Sequence, residues 1–106
     1  MNVEKNLPAE CFIIHDAPAL DPITVFLREI GERGGQITIV CYGRAWSAYF
    51  GAMHSPLKQF LASLNVEYLA GKMETQRTKR DEAYLNRIVQ AVIESLKNWN
   101  NYESQP

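Results

Sequence analysis

Five side chains in this 106-residue sequence could supply a nucleophile, a base or an orienting group: His15, Asp16, Cys41, Ser47 and His54. Covalent or acid–base catalysis needs three such groups held together. Here nothing in the spacing couples them. Two histidines do not define a zinc site, which takes three or four protein ligands. The helical HExxH pattern, the Walker loop and GxSxG are all absent. "GERGG" (31–35) is rich in glycine but lacks the Lys-Ser/Thr of a phosphate loop, and a hairpin turn accounts for it better. His15 beside Asp16 reads as a strand-end pair half in solvent, and His54 as a loop residue. A small enzyme built on Cys41 and His54 is the third-ranked reading. The chain is expected to be non-enzymatic, with no cofactor and no metal.

Binding chemistry is better represented. Residues 40–53, VCYGRAWSAYFGAM, hold two tyrosines, a tryptophan, a phenylalanine and one arginine among glycines and alanines, with no acid. Tyrosine and arginine are enriched where binding energy concentrates, because they join large area to hydrogen bonding. A second cluster, Lys72, Arg77, Lys79, Arg80 and Arg87, is interrupted by Glu74, Asp81 and Glu82. Lys79 and Arg80 fall in the first turn of an expected helix, where they oppose its dipole. That mild cost points to a use, in phosphate contacts or against a partner's carboxylates. The partner-binding set is therefore Tyr42, Arg44, Trp46 and Tyr49, with Arg77 and Arg80 at its edge.

Composition restricts the partners. The formal net charge is −1, so no global basic field draws the chain to nucleic acid or anionic lipid. No apolar run approaches the ~18 residues of a membrane span. The N-terminal "MNVEKNLPAE" lacks the pattern of a signal peptide, and a cytoplasmic location is expected. Cys11 and Cys41 both sit in apolar stretches and read as reduced, buried thiols.

The elements that must position these residues follow from periodicity. Residues 1–10 are expected to form a flexible arm, 11–99 a single globular domain and 100–106 a tail. "CFIIHD" (11–16) reads as a strand closed by a turn. Residues 21–43 fork. Asp21 with Pro22 could open a helix carrying Ile23, Phe26, Leu27 and Ile30. Two β-branched runs about a glycine-rich loop instead make a hairpin, which is favoured. "GRAWSAYFGAM" forks likewise; as a strand, Trp46 and Phe50 face one way and Tyr49 the other. Gly43 and Gly51 bracket it and favour the strand.

Beyond residue 54 the period changes to helical. Ser55 and Pro56 open a helix with Leu57, Phe60, Leu61 and Leu64 on one stripe. A short helix stopped at Gly71 follows. The clearest element carries Leu85, Ile88, Val89, Val92, Leu96 and Trp99, begun by Thr78 and Asp81 in a capping-box arrangement. The fold class is α+β: an antiparallel sheet of three or four strands (about 12–16, 22–30, 35–42 and 45–52), with helices 55–63, 65–71 and 76–99 on one face. The expected core is Ile37, Ile39, Cys41, Leu57, Phe60, Leu61, Leu85, Ile88, Val89 and Val92. Tyr84, Ile93 and Trp99 are expected to extend the apolar face of the last helix, enough for a homodimer through it.

"ITIVCYGRAWSAYFGAM", followed by "FLASLNVEYLAGKM", resembles a group of small proteins encoded in phages and prophages of proteobacteria. They share a CYGxAWSxYxGxM-like core and a following aromatic-rich segment. The resemblance covers residues 15–73, including the lead-in "LDPITVFL", and brings no known catalytic role. It implies a mobile-element context, favours β at both forks, and leaves the helix after residue 74 peculiar to this branch. Small phage accessory proteins often act by binding a host or phage protein. The expected function is therefore a non-enzymatic binder of a protein partner that inhibits a host defence machine. The alternative is a nucleic-acid-associated factor that uses the basic start of the last helix.

Overall fold

The computed structural model describes residues 1–73 and 78–99. Four strands come first: β1 (Glu10–Ile14), β2 (Ile23–Ile30), β3 (Gly34–Cys41) and β4 (Arg44–Phe50). Three helices follow: α1 (Leu57–Ala62), α2 (Val66–Met73) and α3 (Lys79–Lys97). The strands form one antiparallel sheet in the order β1-β2-β3-β4, each paired with its neighbour in sequence.

Alternation decides which side of the sheet is covered. Ile23, Val25 and Leu27 of β2, Ile37, Ile39 and Cys41 of β3, and Trp46, Ala48 and Phe50 of β4 all point to the helices and are buried. Both forks thus resolve as strands. α3 supplies the other half of the core: Leu85, Ile88, Val89 and Val92 are all fully buried, and Ile93 and Leu96 nearly so. The buried set contains no polar or charged residue among the described ones. The opposite face of the sheet carries no described helix, and Ile13, Phe26 and Tyr49 stand exposed on it.

The turns carry the local chemistry. β3 and β4 are joined by Tyr42 and Gly43, both left-handed, with φ of 50° and 76°. Positive φ at both central residues is the type I′ geometry whose twist matches a two-residue hairpin. Asparagine or aspartate normally stands where Tyr42 does. α3 starts as expected: Thr78 Oγ1 accepts the Asp81 N–H at 3.1 Å.

Four expectations need correction. Cys11 is exposed, because its place in β1 turns it to the open face, and only Cys41 is buried. Ser55 does not cap α1; Pro56 holds that position without a side-chain bond. Glu29 Oε1, reaching from β2, accepts the Leu57 N–H at 3.1 Å in its place. Gly71 does not end α2, which continues to Met73 because Met73 packs into the core. Phe60 is half-buried at the core margin, edge-to-face with Phe50. The expected helix start at 76–77 and the tail 100–106 lie outside the described residues.

Tyr84, Ile93 and Trp99 are all used within the chain. Tyr84 packs against Trp46, Ile93 is buried, and Trp99 meets Phe12 edge-to-face at 4.8 Å. The outward side of α3 presents Arg80, Arg87, Gln90, Glu94 and Lys97, all exposed. Among the described residues, the outward side of this helix is polar and charged.

Candidate functional site

The tight turn after β3 lifts Tyr42 out of the sheet, leaving it 79% exposed. Arg44, the first residue of β4, folds back over the helix side. Its guanidinium lies 5.0 Å from the centre of the Trp46 ring and 5.7 Å from that of Tyr84. Its Nη1 is 3.3 Å from Asp81 Oδ1 in the first turn of α3. Arg80, Tyr84 and Arg87 are spaced four and three apart, so one face of α3 presents them together. Arg87 also approaches Tyr84, at 6.0 Å from the centre of its ring. Together with Asp21 and Ala83 these groups line an open groove of about 550 Å³.

Under the groove, polar groups are tied down. The Tyr84 hydroxyl donates to Cys41 Sγ at 3.5 Å, and the Cys41 thiol donates to the Asp21 carbonyl at 3.6 Å. The hydrogen bond to Cys41, helped by burial, pushes the Tyr84 phenol up to about 12. The floor is therefore neutral and fixed, and the charge sits on the rim. Arg44 is matched by Asp81, whereas Arg80 and Arg87 make no ion pair among the described residues. A rim of this kind can take a carboxylate or phosphate through charge-assisted bonds.

Of the expected binding residues, Tyr42, Arg44 and Arg80 meet here. Trp46 is beneath them, 8% exposed, and supports Arg44 rather than facing a partner. Tyr49 does not join them. It stands on the open face near the far end of β4, because strand alternation separates it from Trp46. Arg77 lies outside the described residues. Tyr84 and Arg87 belong to the site but were not in the expected set. The signal was their helical spacing from Arg80.

Cys41 and His54 stay apart, while His15 and Asp16 follow Ile14, which shares a cross-strand row with Ile23 and Cys41. Cys41 ends β3, while His54 sits beside Arg33 just before β3 begins, with Arg33 Nη2 3.3 Å from His54 Nδ1. The seven-residue strand path between them is about 23 Å. Ser47 Oγ pairs with Thr38 Oγ1 at 2.8 Å on the open face. Among the described residues no group of three His, Cys, Asp or Glu gathers to hold a metal. Nor is any described helix long and apolar enough to cross a membrane.

A profile of the phage protein family Phage_phiTE_072 matches residues 1–102. The chain belongs to this family. The Phage_phiTE_072 match extends past residues 15–73 on both sides and takes in all of α3. The last helix is thus part of the family's extent, not a feature of one branch. Neither the curated proteins nor the solved structures contain a match.

Proposed function

We propose that this phage-family protein is a non-enzymatic accessory factor that binds a protein partner through the Tyr42–Arg44–Arg80–Arg87 groove. The proposed partner is a component of a host defence machine, which the binding inhibits. The observation that carries the reading is Tyr42. A bulky residue with positive φ is a backbone outlier costing on the order of 1 kcal/mol. Such strain concentrates at sites of function. Tyr42 is 79% exposed, so little burial offsets it. It lines the groove with Arg80 and Arg87, which have no carboxylate partner among the described residues, so the groove fits an acidic segment with an apolar residue beside it.

The test uses the full chain as bait in host lysate, alongside Tyr42→Ala and Arg80→Glu/Arg87→Glu. The reading expects a host protein retained by the wild type and lost by both variants, whose melting temperatures stay close to wild type. A protein retained equally by all three, or none retained by any, would reject it.

Arg80 and Arg87, without an ion pair among the described residues, also favour a second reading, in which the groove takes nucleic-acid phosphates. Phosphate contacts weaken steeply with salt. A mobility shift that vanishes between about 50 and 200 mM salt, and is absent in the double arginine variant, would move the function to this class.

A further inference from the structure

The open face of the sheet is divided along its midline. On the β1–β2 side stand Ile13 and Phe26, 51% and 43% exposed. On the β3–β4 side, in the same cross-strand rows, stand small residues. Phe26 shares a row with Thr38 and Ser47, and Ile13 shares the next with Val40 and Ala45. No strand residue pointing to this face is a carboxylate. The Thr38 and Ser47 hydroxyls bond each other at 2.8 Å, so covering them costs little in lost hydration.

We infer that this face is an interface between two copies of the chain, stacked sheet on sheet about a two-fold axis along the strands between β2 and β3. That operation exchanges the two halves and keeps each row in place. Phe26 of each copy then lies over Thr38 of its partner, and Ile13 over Ala45. At Phe26 and Ile13 a large residue meets a small one, as interdigitation at the ~10 Å spacing of stacked sheets requires, while Thr24 lies over Val40 and Arg28 over Gln36. A two-fold interface must be complementary to itself, and the Phe26 and Ile13 rows meet that condition; Tyr49, the one large exposed side chain on the β3–β4 half, lies in the Arg28–Gln36 row, where the operation sets it beyond the Glu10 end of the partner's β1. The outward side of α3 is polar and charged among the described residues and does not compete with it.

The dimensions set the strength. Four strands ~4.8 Å apart and seven residues of ~3.3 Å each give a patch of about 19 by 23 Å. Two such patches cover about 900 Å² in all, below the ~1,200 Å² at which stable interfaces begin. The dimer is therefore weak: monomer near ~1 μM and dimer toward ~1 mM. This inference is independent of the groove and of what it binds.

Sedimentation of the full chain across that concentration range tests it, with Phe26→Arg and Thr38→Glu prepared separately. Both substitutions lie on the open face and should leave the melting temperature near wild type while abolishing self-association, Phe26 and Thr38 lying on opposite halves of the face. Mixing the two variants should restore a dimer, because Arg at position 26 of one chain then meets Glu at position 38 of the other. A monomer throughout the range, a dimer retained by both variants, or variants that stay apart when mixed would each overturn the assignment.

Discussion

Arg44 Nη1 reaches Asp81 Oδ1 at 3.3 Å and so links the first residue of β4 to the first turn of α3, thirty-seven positions later. The two side chains are 47% and 33% exposed, so the pair is screened. A double-mutant cycle with Arg44→Ala and Asp81→Ala should give a coupling of about 0.2–1 kcal/mol that shrinks with salt. Arg44→Glu also loses the stacking on Trp46 and should cost about 1–2 kcal/mol in chemical unfolding. Partner capture should fall far more than that. A loss of stability above about 4 kcal/mol would mean that Arg44 holds the fold rather than serving the groove.

Replacing Tyr42 by asparagine should make the protein more stable. Asparagine tolerates the left-handed region that the turn imposes at φ 50°. The gain should be about 1 kcal/mol, or about 4–8 °C in Tm for a domain of this size. Binding through the groove should weaken at the same time. A melting curve that moves down would show that the tyrosine ring stabilises the turn.

Stability should decline in strong base through Tyr84. Its phenol is pushed up to about 12 in the folded state, against an ordinary value near 10. The folded protein thus holds this proton more tightly than the unfolded chain does. Its contribution is full below pH ~10 and is lost as pH rises from ~10 to ~12. The melting temperature should fall across that window in the wild type and fall less in Tyr84→Phe. Equal slopes in the two proteins would contradict the Tyr84–Cys41 bond.

The two thiols should react at different rates. Cys11 is exposed and Cys41 buried, so a thiol reagent should modify one group per chain in the native state and two after unfolding. Protection of Cys41 should track global stability, since its thiol and the Tyr84 hydroxyl lie between sheet and helix. Native modification of both would place Cys41 in an opening segment.

The sheet and helices were legible because their periods are clean. Ile37, Ile39 and Cys41 alternate, and Leu85, Ile88, Val89 and Val92 recur at helical spacing; all seven are buried. The groove was half legible. Tyr42, Arg44 and Arg80 could be chosen by residue type, but Arg44 reaches α3 only because a two-residue turn aims it there. Tyr49 reads from the sequence as lying on the side opposite Trp46 and Phe50 and stands there; residue type groups it with Arg44, and the same alternation keeps it out of the groove. Cys11 was misread for a related reason. A short apolar run such as "CFII" implies burial on both faces, yet the described helices lie on one face of this sheet. The cap of α1 could not be read locally, since its acceptor, Glu29, comes from another element twenty-eight residues earlier.

The order of elements along the chain has a consequence for synthesis. The sheet is made first, and α3, which covers its inner face, is made last. Each strand pairs with its predecessor, so the meander can form as it emerges. Its inner side, with Ile23, Val25, Ile37 and Ile39, then waits for residues 85–96. At translation rates of about 5–20 residues per second that wait lasts about 2–10 s. For that interval the inner side of the nascent sheet has only α1 and α2 to cover it in part, and chaperone capture or aggregation competes with folding then.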